Sequence, residues 1–457
     1  MTVHEAAAEA PGGAGVPNQD SASERRDPVT VHEAAAEAPG GAGVPNQDSD
    51  HDAVYGPVES WERDFDHADP SYNRQAHAVW EQLRGSCPIA RTERYGGAWL
   101  PVTHELVREI AYDTEHFSSR GVVASTGRPD IAAPIGPAPP ITSDPPFHQI
   151  ARRLLLPPFA PKQIEPWEDD IRLVCRQRLD AMGEIETGTT VIDAALQYAQ
   201  HIPVNVISRM LGFPLEDDDL FREFVHDQLE GVNRPVEARQ WAFDRLDDYV
   251  DNQVREHIEH PRDDLTSYLL SAEIGGNPLS ADHVRGTIVL LLLAGIDTTW
   301  SAIGSSIWHL AGHPDHRRRL REDPDVWTFA VEELLRAYAP VTMARLVADD
   351  VEFHGCPMKT EEWVLLPFPA ANRDPEFFEQ ADEVVLDRQE NRHAAFGLGI
   401  HRCLGSNLAR LELRVALEEF LTRFEEFELS DPEAVTWSVG QIRGPRSLPV
   451  RILAATR

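Results

Sequence analysis

Three observations predict a mainly α fold with a minor β portion. Helical periods dominate the chain from about residue 50 onward. Apolar residues fill the centre of Ser280–Gly312, where the first serine is a suitable N-cap, and an amphipathic pattern runs over Ser406–Phe424. Only two short segments, near Tyr95–Val102 and Val351–Leu366, have extended patterns. The sequence therefore predicts one helical domain over residues 51–457.

The first fifty residues have a different composition. Thr2–Ser21 (TVHEAAAEAPGGAGVPNQDS) recurs letter for letter at Thr30–Ser49. Both copies are rich in Ala, Gly, Pro and Glu and contain little that could be buried, so we expect residues 1–50 to form a disordered leader. Two copies are also too few for a solenoid.

Charge and hydropathy argue against several classes of protein. The formal net charge of −34 disfavours nucleic acid as a partner, because phosphate contacts need clustered Lys and Arg. The longest apolar run, Ile288–Ile296, is well short of the ~20 residues that span a bilayer. The N-terminus has no apolar signal region, and the four cysteines show no paired spacing. We therefore expect a cytoplasmic protein with no membrane partner.

The segment Phe396–Gly405 (FGLGIHRCLG) carries the strongest motif in the chain. A thiolate that binds haem iron needs N–H donors around its sulfur and shielding from solvent. Gly397, Gly399 and Gly405 would let the backbone curl around Cys403, Phe396 would cover the sulfur, and the following helix would add the positive end of its dipole. A lone cysteine in such a turn is usually just buried. The complete motif favours a metal ligand instead.

This motif resembles the haem-binding signature of the cytochrome P450 family, Phe-Gly-x-Gly-x-His/Arg-x-Cys-x-Gly, and every fixed position matches. The resemblance extends from about Tyr55 to Leu453. It implies a bacterial soluble P450 with the mainly helical P450 fold, haem b (iron protoporphyrin IX) bound through Cys403, and dioxygen as co-substrate. The tracts Ala294–Pro314 and Thr436–Pro449 are more weakly similar to haem domains of bacterial P450s that are fused to a reductase.

A second family motif lies in the middle of the long predicted helix, as Ala294-Gly295-Ile296-Asp297-Thr298-Thr299. An acid and a hydroxyl inside a buried helix are costly unless they have partners, and Thr298 could simply bond to a preceding carbonyl. The segment resembles the family pattern Ala/Gly-Gly-x-Asp/Glu-Thr. The resemblance implies that Ala294 and Gly295 lie over the haem, that Thr298 steadies bound dioxygen, and that Asp297 helps to relay protons.

Glu333 and Arg336 lie three residues apart on a predicted helix, and in isolation they would be an ordinary surface pair. They resemble the Glu-x-x-Arg pair of the family, which locks to a third cation before the cysteine loop. Arg388 stands at that place. The resemblance therefore implies a structural role for all three in holding the haem loop.

Haem propionates need cationic or hydrogen-bonding partners when they are buried. His148 and Arg152 share one helical face, Arg345 follows Pro340 at the family position, and His393 precedes the cysteine loop. Each of these could be an ordinary surface cation. With His401 of the cysteine motif, the resemblance makes them the expected haem-binding cations.

The resemblance places the substrate beside residues 118–142, 219–241, 291–298, 341–344 and 438–442. The expected lining is small or apolar and suits an uncharged, largely apolar ligand, an aromatic one included. Each lining residue could equally be an ordinary core residue. The expected pocket residues are Leu293, Val341, Met343, Ala344, Val439 and Ile442.

The expected function is a haem-thiolate monooxygenase that inserts one atom of dioxygen by hydroxylation or oxidative dealkylation. No flavin motif follows the cysteine motif, so we expect electrons from NAD(P)H through a separate ferredoxin and its reductase; the alternative is that the chain is an excised haem domain. Arg402, Arg410 and Arg414, with Arg153 nearby, would attract an acidic ferredoxin, unless they are only a solvated face. The alternatives are a peroxide-driven or isomerising P450 and a haem sensor or carrier. The acid and hydroxyl of the long helix disfavour both.

Overall fold

A computed structural model describes residues 56–125, 127–128, 136–230, 236–438 and 440–456. The predicted leader over residues 1–50 lies outside these residues. Helices dominate the described chain and strands are short, as predicted. The helices are α1 (Pro70–Ser86), α2 (His104–Tyr112), α3 (Phe147–Leu155), α4 (Pro161–Ile164), α5 (Glu168–Asp180), α6 (His201–Leu211), α7 (Asp218–Val225), α8 (Val236–Glu259), α9 (Leu265–Ser271), α10 (Ala281–Gly312), α11 (Pro314–Glu322), α12 (Trp327–Ala337), α13 (Phe368–Ala371) and α14 (Ser406–Arg423).

The two segments predicted to be extended do form strands: the first contains a single strand, and the second is divided by turns into three. The second one contains a hairpin followed by a central strand of the largest sheet. The strands are β1 (Ile89–Thr92), β2 (Ala98–Pro101), β3 (Phe117–Ser118), β4 (Val191–Asp193), β5 (Glu273–Ile274), β6 (Asn277–Pro278), β7 (Thr342–Val347), β8 (Val351–Phe353), β9 (Cys356–Met358), β10 (Trp363–Pro367), β11 (Phe424–Leu429), β12 (Thr436–Trp437), β13 (Pro445–Ser447) and β14 (Pro449–Ala455).

The largest sheet has the strand order β1-β2-β10-β7-β3. β10 is parallel to β2 and antiparallel to β7, with Met343 opposite Leu366 and Arg345 opposite Val364. Side chains alternate between the faces of a strand, so Met343 and Arg345 share one face while Ala344 points to the other. A three-stranded sheet has the order β11-β14-β4, and β5-β6, β8-β9 and β12-β13 form two-stranded pairs.

Helix α10 forms the centre of the main hydrophobic core. Its N-cap is Ser280, whose side chain accepts a hydrogen bond from the backbone N–H of His283, so the predicted helix is confirmed together with its cap. Ile288, Leu292 and Ile296 are fully buried in the main core cluster. The helix is long and apolar enough to cross a membrane, but 67% of its apolar window is buried within the protein. That burial is typical of a core helix.

Strand β13 packs closely against α10 because two glycines leave space at the contact. A Cβ on Gly304 would lie 2.8 Å from Cγ of Pro445, and a Cβ on Gly444 would lie 2.3 Å from Cβ of Ser301. Real Cβ atoms do not approach so closely. The C-terminal pair β12–β13 is therefore held against the middle of the core helix α10.

Candidate active site around Cys403

The cysteine loop has the conformation that the motif predicts. The backbone N–H of Cys403 donates to the carbonyl of Phe396 at 2.6 Å, which closes the loop. Gly397 and Gly399 have φ of +72° and +68°, a left-handed region that favours glycine. A Cβ on Gly399 would also lie 2.2 Å from the carbonyl oxygen of Ala111 in α2. Glycine is therefore required at 397 and 399 by the left-handed backbone, and at 399 also by the close approach to α2.

Gly405 serves the sulfur more directly. Its φ of −78° suits any residue, but a Cβ at this position would lie 4.0 Å from Sγ of Cys403, and its N–H donates to that sulfur. Helix α14 begins at the next residue, so the positive end of its dipole lies beside the thiol, as predicted.

The environment of Cys403 acts on its thiol in two opposite directions. The side chain is exposed at the surface of the loop, yet enough protein surrounds it for desolvation to raise the pKa of the thiol. The Gly405 N–H and the guanidinium groups of Arg152, Arg410 and Arg402 oppose that rise. Bonding to a metal ion deprotonates a thiol outright. The donors and cations around the sulfur thus fit a metal-bound thiolate.

Glu333, Arg336 and Arg388 form the predicted cluster. Glu333 and Arg336 are fully buried and form two parallel bonds of 2.8 Å, and Arg388 Nε donates to Oε2 of Glu333 at 2.9 Å. Burial alone would raise the pKa of Glu333, but the bonds from Arg336, from the N–H of Val385 and from Arg388 bring it below its usual value. The cluster is therefore a buried ionic network rather than a surface pair.

A second group of basic side chains comes from α3, β7 and the cysteine loop. The rings of His148 and His401 lie 4.3 Å apart, and Ser119 Oγ lies 2.8 Å from Nε2 of His401. Burial and the neighbouring cations, Arg345 and Arg152 among them, bring the pKa of His148 to about 4 and that of His401 to about 2. Desolvation brings the pKa of Arg345 to about 10.

His393 is not part of this group, which corrects the prediction. Its Nε2 lies 3.1 Å from Oε2 of Glu332, and its Nδ1 accepts from the N–H of Ala395. Both ring nitrogens are thus occupied by protein partners on the side of α12. The physical reason is Glu332, whose carboxylate binds His393 and Arg410 together; the two bonds bring its pKa to about 2 despite burial.

The two predicted catalytic residues point in different directions. Thr298 is half-buried, and its Oγ1 donates to the carbonyl of Ala294 at 2.9 Å, the local bond considered above. Its oxygen can still accept a hydrogen bond from a ligand. Asp297 is fully buried, and its Oδ1 lies 2.7 Å from Nη2 of Arg446 in β13. The structure therefore places the acid against the C-terminal strand pair.

The stretch of α10 around Thr298 is partly accessible to solvent. Ala294 is exposed, and Leu293 and Gly295 are half-buried, whereas Leu291, Leu292 and Ile296 beside them are buried. A Cβ on Gly295 would lie 3.1 Å from Cγ1 of Ile207 in α6, so this glycine also allows two helices to approach closely. Its role toward haem stays a prediction.

The predicted substrate pocket stays a prediction, and the structure corrects the position of one of its residues. Leu293, Val341 and Met343 are half-buried, as lining residues are. Ala344 is only 1% exposed and belongs to the core on the opposite face of β7, because neighbouring residues of a strand alternate. Ile442 is buried and bridges to Val341 through backbone pairing. Val439 lies outside the described residues.

Sequence reasoning missed three residues that connect the site. Gln441 Nε2 lies 3.1 Å from the Val122 carbonyl and 3.2 Å from Met343 Sδ, which joins three of the expected substrate segments. Ser119 binds His401, and Arg446 binds Asp297. No sequence signal identifies the first two. A buried acid in a core helix does require a cation, so a search for one could have suggested the arginine.

Comparison with known proteins agrees with this geometry. The Cytochrome P450 family profile matches residues 232–441. Mycinamicin IV hydroxylase/epoxidase of Micromonospora griseorubida is 33% identical over 81% of this chain and 94% of its own length. Nocardicin C N-oxygenase of Nocardia uniformis subsp. tsuyamanensis is 33% identical over 82% and 95%. The crystal structure of CYP109E1 from Bacillus megaterium in complex with testosterone superposes with a TM-score of 0.76 at 28% identity, covering 84% of this chain and all of that one.

The chain belongs to the cytochrome P450 family. It is a P450 monooxygenase of the bacterial soluble kind, and the likeness to reductase-fused haem domains stays a prediction.

The residues present fit the haem that the P450 family implies. His148 is 1% exposed, and neither of its ring nitrogens has a hydrogen-bond partner among the described residues. Arg345 is 4% exposed and donates to the carbonyl of Ala344. Buried cations and imidazoles of this kind suit anionic propionates. Cys403 would hold the iron. His148, Arg345 and His401 would bind the propionates. Arg152 donates to the carbonyl of Arg402 in the cysteine loop and would add a further positive charge near the haem.

The first prediction concerns the thiolate. Cys403→Ala should abolish the absorption of the ferrous–CO complex at the thiolate position, because the loop then lacks its only sulfur. Cys87→Ala, Cys175→Ala and Cys356→Ala should keep that absorption. Loss of the thiolate spectrum in one of these three variants, with Cys403→Ala unaffected, would overturn the assignment.

The second prediction concerns Glu333→Gln. The change leaves Arg336 buried without its anion, so the free energy of unfolding at pH 7 should fall by about 3 to 5 kcal/mol, measured with urea. The lowered pKa of Glu333 stabilises the fold above the unfolded pKa of about 4.3, and this contribution is lost as pH falls below it. The deficit should therefore shrink in acid.

Asp315→Asn is the matched control for this measurement. Asp315 and Arg318 form a pair at the same three-residue spacing, but both side chains are exposed. The control should change stability by less than about 1 kcal/mol. Equal losses in the two variants would contradict a buried network at Glu333.

Proposed function

We propose that this P450 inserts one atom of dioxygen into a small, largely apolar organic substrate, by hydroxylation or oxidative dealkylation. The observation that carries the proposal is the accessible stretch of α10 at Ala294 and Thr298, together with the half-buried apolar side chains of Leu293, Val341 and Met343 in the expected substrate segments. Small-molecule sites are mostly apolar with a few polar groups, and Gln441 beside Met343 supplies one.

Relatives of the chain support this class of substrate. One relative is named a hydroxylase/epoxidase of mycinamicin IV, and one similar structure contains testosterone. Testosterone is therefore a reasonable first probe, followed by aromatic ethers, which test the dealkylation branch. The probes should be ranked by the low-to-high-spin shift of the haem spectrum.

The cofactor is proposed to be haem b, with dioxygen as co-substrate. Haem bound through a cysteine thiolate supplies dioxygen binding and O–O bond cleavage. The chain supplies the surroundings. Thr298 offers a hydroxyl oxygen that accepts a hydrogen bond, Asp297 would help to relay protons, and the Gly405 N–H supports the negative charge of the sulfur. The acid and hydroxyl favour dioxygen chemistry over a peroxide-driven or sensor function.

Electrons are proposed to come from NAD(P)H through a separate ferredoxin and its reductase, in the cytoplasm. The expected basic surface needs correction first. Arg410 binds both oxygens of Glu332 and stacks on Phe396, and Arg414 binds Glu168 and Glu418. Their charges are thus compensated by neighbouring carboxylates. Among the described residues, exposed Arg402 and Arg153 have no ion pair.

Isotope labelling tests the reaction itself. The purified holoenzyme is incubated with a probe that gives the spin shift, NADH, a [2Fe–2S] ferredoxin, its reductase and ¹⁸O₂. A monooxygenase places one labelled atom in the product or in the aldehyde that a dealkylation releases. Unlabelled product, or product formed only with added hydrogen peroxide, would contradict the proposal.

The third prediction concerns Thr298→Ala. This change should leave the spin shift of the probe intact but lower the product formed per NADH severalfold and raise hydrogen peroxide, because the hydroxyl acceptor is lost. Thr298→Ser retains the hydroxyl and should keep most of the coupling. Equal coupling in the alanine variant and the parent would exclude a role in dioxygen activation.

The fourth prediction concerns electron delivery. Reversing both free charges, in Arg153→Glu/Arg402→Glu, should slow reduction by the ferredoxin and flatten its dependence on salt, because electrostatic steering mainly raises association rates. Stopped-flow reduction over a salt series measures both effects. The control is Arg255→Glu, which makes the same charge reversal at one exposed residue of α8. Unaltered reduction in the double variant would mean that the ferredoxin docks elsewhere.

A further inference from the structure

We propose that Met343 is an oxidation site: hydrogen peroxide formed in the active site converts its thioether to a sulfoxide, and the oxidised side chain weakens the binding of apolar substrate. The inference rests on the proposed function, because the peroxide arises there when dioxygen is reduced without oxidation of a substrate. It gives a chemical role to a residue that was expected only to line the pocket.

Met343 lies on the side of β7 that adjoins the cysteine loop. Its side chain and that of Leu398 in the loop pack against the same apolar cluster. Residues two apart in a strand point to one face and lie about 7 Å apart, so Met343 is also a neighbour of Arg345, one of the side chains that fit a haem propionate. Ala344 between them belongs to another cluster on the opposite face. The thioether is therefore in the same region of the fold as the groups that fit the haem.

A buried amide holds the sulfur of Met343 in place. Gln441 Nε2 donates to Met343 Sδ at 3.2 Å and to the carbonyl of Val122 at 3.1 Å. These two acceptors identify the amide nitrogen, because an amide oxygen at that position would face acceptors only. Gln441 is 6% exposed, so its N–H donor is fixed beside a methionine side chain that is otherwise flexible.

The same amide suits the oxidised form of the side chain. A thioether sulfur is a weak acceptor, whereas the oxygen of a sulfoxide is polar and accepts hydrogen bonds well. The sulfur has two lone pairs, and the N–H of Gln441 engages one of them, which leaves the other to attack peroxide. The N–H can then donate to the new oxygen. The oxidised form therefore gains the better hydrogen bond.

The reaction needs only hydrogen peroxide as its oxidant. The sulfur lone pair attacks one peroxide oxygen, an S–O bond forms and the O–O bond breaks. The leaving hydroxide takes up the proton of the transferred oxygen to give water, so the sulfur loses two electrons and the peroxide gains two. The product is polar and chiral, unlike the apolar thioether. An apolar substrate thus loses part of its apolar contact surface at Met343.

The other methionines of the described residues provide an internal control. Met210 and Met358 are buried in the core. Met182 is half-buried like Met343, but it follows α5 and lies outside every expected substrate segment of the sequence. Peroxide from the bulk solution should therefore reach Met182 at least as readily as Met343, whereas peroxide formed in the active site should reach Met343 first.

Peptide mass spectrometry of the holoenzyme tests the modification. The full chain is incubated without substrate, with NADH, the ferredoxin, its reductase and ¹⁸O₂, while catalase removes peroxide from the solution. Met343 should gain one labelled oxygen atom severalfold more often than Met182. An unmodified Met343, or equal labelling of the two residues, would overturn the proposal. An equally strong preference for Met343 with added hydrogen peroxide alone would contradict a source inside the site.

Met343→Leu measures the effect of oxidation on binding. Leucine is apolar and similar in volume but cannot form a sulfoxide. After the same treatment and removal of NADH, the concentration of testosterone that gives half of the spin shift should rise severalfold in the parent and stay unchanged in Met343→Leu. Met182→Leu is the matched control and should behave like the parent. Equal changes in the parent and Met343→Leu, or no change in the oxidised parent, would contradict an effect of Met343 on binding.

The outcomes separate this inference from the proposed function. The mass-spectrometric test uses only the parent chain, so it remains decisive if the leucine variant does not fold. If Met343 gains labelled oxygen while no probe gives labelled product, the methionine is an oxidation site and the monooxygenase proposal alone fails. If labelled product forms and Met343 stays unmodified during turnover without substrate, the monooxygenase proposal stands and Met343 is not an oxidation site.

Discussion

The ion pair between Glu333 and Arg336 organises the part of the chain that reaches the cysteine. Arg336 is completely buried, and a guanidinium group without hydrogen-bond acceptors in that position would be very costly. Its remaining donors bind the carbonyls of Asn372, Ala381 and Glu383, and Glu333 accepts from the N–H of Val385. One buried pair thus gathers an irregular segment that has few backbone bonds of its own. Asn372 continues the chain of contacts by accepting from Ala394, two residues before Phe396.

The basic side chains of the site form two sets, one buried inside the fold and one at its surface. Arg345, His148 and His401 lie inside, where burial disfavours their charge and an anionic group of the cofactor would be strongly attracted. Outside the cysteine loop the arginines of α14 are matched to carboxylates of α5, α12 and α14 itself. The carboxylates of this acidic chain are therefore unevenly distributed around the cysteine loop. Acidic partners compensate Arg410 and Arg414, whereas exposed Arg402, next to Cys403 in the chain, has no ion pair among the described residues.

The motifs identified most of the fold and of the cofactor site from sequence alone, for physical reasons that can be named. Cys403 and its glycines lie within a few residues of one another, so their spacing in the sequence is enough to predict the shape of the loop. The helix from Ala281 and its serine cap are also local. Which residues face the substrate depends on strand register instead. Ala344 was misassigned because neighbouring residues of a strand point to opposite faces of the sheet. His393 was misassigned because its partner, Glu332, lies on α12, far from His393 in the sequence.

Helix α10 has to satisfy two requirements at the same turn, and this explains why a distant arginine belongs to the site. Its open side must remain small and accessible at Ala294 and Thr298, whereas its other side must close the core with Ile296, Ile303 and the C-terminal strand pair. An acid next to Thr298 in sequence necessarily begins on the closed side, where a carboxylate survives only beside a cation. Arg446 meets that need because Gly304 and Gly444 let its strand approach. The same contact that makes the acid tolerable in the core also turns it toward β13 and away from the side of α10 that carries Thr298.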